Sequence, residues 1–413
     1  MENNIKSIIL FSIYFCVLII NPNFYLILGC WAWIAYYCFK NLAVGICLAI
    51  IVFPFSKILN AYNNTLIVLA IIIITGMLYM LLNKGYKIKI NNTLKFGTIL
   101  IVLIILNFIK NGFTNINLYI LLIMAIIVFV YIDILSYNNK IKEIKRYLEL
   151  AMIIPGIIII IDMLPSIINN SIGYSRLSID GNARVLANPL AVASVVLLFK
   201  IIQGDKRIVF YLIGLIINMI FIVMTGSRGV LVSLLAVVII YMMLKMSKRL
   251  ILIICTTGVF VYYISFNYIN DVFNVQRLTN LDNSARNMIW SNALKTMDAG
   301  DIILGAGVGE FKQQYILTYG QAVYAHSVFI DTLFSLGVLT TFILIIYIIW
   351  ISLQSIKNKN LNGLIFLMFV VILFIPHGNV QDIYFWVYLA IAQVFCTYSI
   401  KVDKLNKCHD KQN

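Results

Sequence analysis

Between residues 5 and 400 the chain is a near-continuous succession of apolar runs, and that succession restricts it to one solvent. The runs fall near 5–20, 24–39, 42–56, 65–82, 94–109, 116–135, 148–168, 185–203, 208–224, 229–245, 249–266, 326–350, 362–376 and 381–400. Their lengths, roughly 15 to 25 residues, are those with which an α-helix crosses ~30 Å of hydrocarbon. Several are short or contain proline, so 12 to 14 spanning helices are expected. With 62% of 413 residues hydrophobic and only 11% charged, the chain has too little polar surface to cover a soluble domain of this size. The expected fold class is all-α: a polytopic integral membrane protein, with residues 1–413 as a single transmembrane domain. Met1 to Ile20 lacks a small-residue cleavage site and reads as a first spanning helix that stays attached.

The formal charge of +15 would suit nucleic acid if it were gathered in one patch, and it is not. With the N-terminus inside, 22 of the 31 basic residues fall in inward segments, among them Lys84, Lys87, Lys89, Lys95, Lys140, Lys142, Lys145, Lys200, Lys206, Lys245 and Lys248. The positive-inside rule therefore puts both termini in the cytoplasm. The charge is topology, and no nucleic-acid partner is expected. Residue types divide as well: 19 of the 22 inward residues are Lys, whereas 5 of the 9 outward ones are Arg, namely Arg176, Arg184, Arg228, Arg277 and Arg286. An anchor needs only charge, which Lys supplies. The planar donor fork of Arg suits bidentate recognition of phosphate or carboxylate.

Two outward loops are long, residues 169–184 and residues 267–325, and every other connection is short. Chemistry on such a scaffold belongs in these loops. In the larger loop, Asp282 or Ser284 can cap a helix that places Ala285, Met288, Ile289, Leu294 and Met297 at helical spacing, with Trp290 alongside. This reads as an amphipathic helix on the membrane surface. No internal repeat of the inverted-transporter kind is present. Six of the seven cysteines lie inside apolar runs and read as small packing residues. No CxxC pair or DxD cluster stands outside, so no metal and no cofactor are expected.

Three features could carry chemistry. Thr225-Gly-Ser-Arg-Gly229 forms a tight outward turn, where a guanidinium in hydrocarbon is costly unless it is paired or faces a cavity. Gly226 and Gly229 there permit either a sharp turn or close approach of a substrate. Of three histidines, His326 begins an apolar helix directly after the large loop, where a neutral imidazole could take a proton from a hydroxyl. His377 lies at similar depth and is its rival, while His409 lies in the polar tail. The glycines of LGAGVGEF, with Gly305 and Gly307 foremost, follow no strand, so a dinucleotide site is not expected. Asp331, five residues beyond His326, stands about 140° round an ideal helix from it and is not an automatic orienting partner.

From His326 the sequence runs His-Ser, nine residues, Gly337, two residues, Thr340, and this matches the H[NSQ]-x9-G-x2-[GTY] pattern of the O-antigen ligase and polymerase superfamily. TGSRG, the ANPLAVA segment at 187–193, Ser284 to Trp290 and LGAGVGEF at 304–311 accompany it in the same order. The resemblance covers residues 170 to 345, with Ser327 where Asn is more usual. It implies a glycosyltransferase acting outside a bacterial cytoplasmic membrane on undecaprenyl-diphosphate-linked glycans. His326 would be general base, and Arg228 and Arg286 would hold the diphosphate. Arg176, Arg184, Arg277, Gly226, Gly229, Gly305 and Gly307 would line the substrate site. Expelling a diphosphate builds negative charge on phosphate oxygens, and with few outward carboxylates to hold Mg²⁺ the arginines are the fitting counter-charge.

The resemblance leaves the acceptor open. A repeat-unit polymerase for O-antigen or capsule is the first expectation, because no acceptor-binding domain is appended and the chain is rich in Ile, Asn and Lys. A ligase to lipid A core or protein is the alternative, and a lipid-linked glycan flippase or other transporter is a second. A chain-length regulator would be a partner of the polymerase, beside the lipid-linked glycan and the bilayer.

Overall fold

The structure, a computed structural model, describes residues 2–20, 23–55, 62–82, 90–112, 115–138, 141–168, 184–204, 207–245, 284–320, 324–376 and 378–398. Of these, 88% are helical and none forms a strand. In chain order the helices are α1 (Glu2–Ile20), α2 (Phe24–Lys40), α3 (Leu42–Val52), α4 (Tyr62–Leu82), α5 (Asn92–Asn111), α6 (Ile116–Asn138), α7 (Ile141–Ile168) and α8 (Arg184–Ile202). There follow α9 (Ile208–Thr225), α10 (Arg228–Lys245), α11 (Ser284–Lys295), α12 (Ala299–Leu304), α13 (Glu310–Tyr319), α14 (Val328–Lys357), α15 (Leu361–Phe374) and α16 (Ile383–Thr397). Seven of them, α1, α4, α5, α6, α7, α9 and α14, are long and apolar enough to cross a membrane, and six shorter apolar helices accompany them. These account for thirteen of the fourteen apolar runs; the run at 249–266 lies outside the described residues.

The centre of the bundle is formed by helices that are apolar on every side. All eleven residues of α3 are buried, as are nearly all of α16, so neither has a face left for water or lipid. The outermost helices show the reverse. On α9, Val209, Phe210, Ile213 and Ile216 are exposed, and on α14 so are Phe342, Ile349 and Leu353. Apolar area on this scale is ruinous in water and ordinary in hydrocarbon.

Polar side chains mark the helix ends and sort them into two layers. Asn23, Asn41, Asn91 and Asn360 each accept a backbone N–H in the first turn of the next helix, which is why Asn recurs between apolar runs. At the lysine-rich end, buried Asp133 accepts from Asn91, from Gln393 Nε2 at 2.5 Å and from the Tyr398 hydroxyl at 3.3 Å. Lys200 pairs there with Glu149 at 2.6 Å. Opposite, the starts of α6, α10, α14 and α16 share the end of the bundle that holds α11, α12 and α13. The alternation of helix directions expected from the sequence would put Arg228 in the same layer as His326.

Candidate active site

Helix α14 breaks in its third turn. Gly337 has φ 81° and ψ 174°, a conformation open in practice only to glycine. The break leaves carbonyls of the preceding turn without helical donors, and the glycine loop supplies them: the Ala306 N–H donates to Phe334 O at 2.8 Å and the Gly307 N–H to Ser335 O at 3.1 Å. The two backbones cross so closely that a Cβ on Gly305 would strike Ser335 and Leu336 main-chain atoms, and one on Gly337 would stand 2.6 Å from Gly305 N. Gly305, at φ 86°, is thus accounted for by the crossing itself. Gly307, at φ 115°, lies beside Glu310 and the Tyr119 hydroxyl.

The crossing is fastened by residues from the first third of the chain. Asn107 is fully buried, and its amide donates to Leu304 O, to Gly305 O at 3.3 Å and to Ser335 O at 2.9 Å. Its carbonyl accepts the Tyr119 hydroxyl at 2.5 Å, and that hydroxyl in turn accepts the Val308 N–H at 3.2 Å. Lys110 pairs with Asp301 at 2.6 Å and also donates to Gly305 O at 3.1 Å. Asn115 donates to Glu310 at 2.8 Å. None of these was singled out above, although an Asn inside the apolar run LIILNFI is a visible signal, since an amide in hydrocarbon needs partners.

Beside the glycine loop a second, small core forms from Ala293, Ala306, Phe311, Tyr315, Ala325 and Phe334, with Ile289, Met297 and Ile330 packed against it. Part of the apolar face expected to lie on the membrane is therefore spent on protein, while Met288 stays exposed. Trp290 donates its indole N–H to Ala325 O at 2.7 Å, fixing the residue before His326.

His326 has φ 53°, uncommon for a residue other than glycine and frequent at functional sites. Directly after it Ser327, buried, caps α14 by accepting the Ile330 N–H at 3.4 Å. Ser and Asn share this capping ability, which gives a physical reason for Ser where Asn is more usual. Asp331 is buried as well, but its carboxylate is directed to Val380, whose N–H donates to it at 2.7 Å, and to the Ser335 hydroxyl at 3.4 Å. Val380 O in turn accepts from Trp386 at 2.8 Å. The loop between α15 and α16 is so clamped onto the first turn of α14 that a Cβ on Gly378 would stand 2.9 Å from Val328. His377 itself lies outside the described residues.

TGSRG closes the hairpin between α9 and α10. Gly226 ends α9 at φ 62°, with its N–H on Val223 O at 2.9 Å. The Thr225 hydroxyl donates to Ile222 O at 2.6 Å and accepts the Ser227 N–H at 3.3 Å. Gly229 lies in the first turn of α10, its carbonyl accepting the Ser233 hydroxyl at 2.6 Å. Arg228 begins α10, half-buried, and its side chain makes no hydrogen bond or ion pair to another described residue. If its fork binds phosphate, Arg228→Lys should lose activity nearly as far as Arg228→Ala, because Lys keeps charge without bidentate geometry. A fully active Lys variant, assayed for glycan transfer in purified protein, would reduce Arg228 to a headgroup anchor.

The other arginines are less defined. Arg184 and Arg286 lie in the first turns of α8 and α11, with side chains outside the described residues, and Arg176 and Arg277 fall outside them altogether. Among the described residues no group of three or more His, Cys, Asp or Glu is placed to hold a metal ion. No curated protein matches the chain. Residues 213–345, which hold the TGSRG hairpin, the glycine loop, the broken helix and His326, match the family model described as O-antigen ligase, and this part of the chain belongs to the O-antigen ligase and polymerase superfamily.

Proposed function

We propose that the protein is a polymerase of lipid-linked oligosaccharide repeats, acting on the outer side of a bacterial cytoplasmic membrane. The observation that carries the reading is His326, held at positive φ on a capped helix start, in the layer to which helix alternation also assigns Arg228, whose side chain has no partner among the described residues. The positive-inside count puts that layer outside and both termini in the cytoplasm.

In the proposed reaction a hydroxyl on the terminal sugar of one repeat attacks the anomeric carbon of a second, growing glycan held on undecaprenyl diphosphate. The new C–O bond forms as the bond from that carbon to the diphosphate oxygen breaks. The electron pair leaves with the diphosphate and the hydroxyl proton passes to His326. Attack opposite the leaving group inverts the anomeric centre. Arg228 and Arg286 meet the charge gathering on the phosphates, with Arg176, Arg184 and Arg277 assisting, and fixed donors of this kind are worth most where water is excluded.

The family description itself favours a second reading, ligation of the finished glycan to lipid A core or protein, since donor chemistry is common to both. Deleting the gene separates them. Core capped by single repeats supports polymerisation; accumulated lipid-linked polymer on uncapped core would establish the ligase; repeats trapped in the cytoplasm would point to a flippase. Because arginines take the place of a carboxylate-held cation, purified protein should retain full transfer in EDTA. Activity lost on chelation and restored by Mg²⁺ would refute that part of the mechanism.

A further inference from the structure

The segment between the glycine-loop helices and α14 has a pattern that the base alone does not explain. From 324 to 327 burial alternates: Tyr324 is exposed, Ala325 buried, His326 half-buried and Ser327 buried. Here Ala325 enters the small outer core and is pinned by Trp290, while Ser327 turns in to cap the helix. The two less buried residues are Tyr324, which is exposed, and His326, which is half-buried. Their ring centroids lie 6.1 Å apart at an interplanar angle of 46°. Lys312 places its ammonium 5.2 Å from the Tyr324 ring centroid, which restrains the ring plane.

We infer that Tyr324 is the stacking platform for the acceptor sugar, setting a pyranose ring so that one of its hydroxyls meets His326. A pyranose presents a face of C–H bonds carrying slight positive charge, and a phenol ring presents a negative π face. With the ring centroids 6.1 Å apart, a sugar lying on Tyr324 has its ring hydroxyls within reach of the imidazole. The inference rests on the glycan-transfer reading above and names the acceptor side of that site.

The rival role for an exposed tyrosine at this depth is an anchor in the lipid headgroups. Full-length protein in nanodiscs distinguishes the two, using lipid-linked repeats extracted from the parent cells and the free repeat oligosaccharide released from them by mild acid. Tyr324→Ala should raise the repeat concentration for half-maximal elongation on the order of tenfold, the size of an aromatic contact, and leave the maximal rate within a few-fold. Tyr324→Phe should stay near wild type. In saturation-transfer NMR the free oligosaccharide, which has neither lipid nor diphosphate, should bind wild type and the Phe variant but not the Ala variant. An unchanged half-maximal concentration in Tyr324→Ala, or oligosaccharide binding equal to wild type, would overturn the platform and leave an anchor only. Absence of oligosaccharide binding to wild type would overturn it too. Were the wild type to bind the oligosaccharide through Tyr324 yet elongate nothing, the platform would stand and the polymerase reading would fall.

Discussion

Alanine at His326 is expected to lower the maximal rate of glycan elongation by roughly 10²- to 10⁴-fold, the contribution of a positioned general base. The protein should still insert, and its lipid-linked donor should still bind through the arginines. Two effects are mixed in that variant, because alanine also tolerates φ 53° poorly. Asn adopts positive φ more readily, so His326→Asn keeps the backbone and removes only the imidazole. Both variants should be comparably inactive if the ring is the base. His377→Ala should be far milder, since its loop carries none of the other family motifs. The check is elongation and donor binding measured separately on material shown to be folded in detergent. Normal elongation by His326→Ala together with an inactive His377→Ala would move the base to His377, and the clamp of the α15–α16 loop onto the first turn of α14 makes that a real alternative.

Gly337→Ala should be the most damaging change that touches no reacting atom. Its backbone conformation costs an L-residue about 1–3 kcal/mol, and the added methyl would lie 2.6 Å from Gly305 N with Ile303 O closer still. The contacts are backbone, so no side chain can swing away. Either the glycine loop leaves the broken helix, stranding the Asn107 amide, or α14 straightens and carries His326 off its mark. Reduced yield of folded protein and a lowered unfolding temperature in detergent are expected, with Gly305→Ala similar. Gly226→Ala is the control: its φ of 62° is also positive, but nothing lies within 4 Å of the added Cβ, so its cost should be limited to backbone strain. Equal behaviour of Gly337→Ala and Gly226→Ala would show that the crossing is loose.

The helices were legible because the bilayer imposes one simple demand, a run of apolar residues long enough to cross it, and α1, α6 and α14 meet it openly. Ser327 and Gly337 were legible as letters of a pattern, yet their work was not. A cap and a helix break are local, but the partner that makes the break tolerable comes from residues 304–307, far enough away that spacing says nothing of it. Asn107 shows the same limit more sharply: its polar side chain in an apolar run signals a need for partners, and only packing reveals that the carbonyls its amide donates to lie about two hundred residues onward. Met288, Ile289 and Met297 share a helical stripe in sequence. Helical period states that such a stripe must be covered, and is silent on whether lipid or protein does so, which is how Ile289 and Met297 come to face a small outer core instead.

Asn107, Lys110 and Tyr119 lie well before residue 213, where the family segment begins, yet they hold the carbonyls and loop on which that segment's geometry rests. The part of the chain with a recognisable signature is therefore not the part that can be exchanged as a unit. Drift in the opening helices is costly where α5 and α6 meet the glycine loop. A transplant of residues 213–345 between relatives would carry the reactive groups and leave behind the frame that aims them.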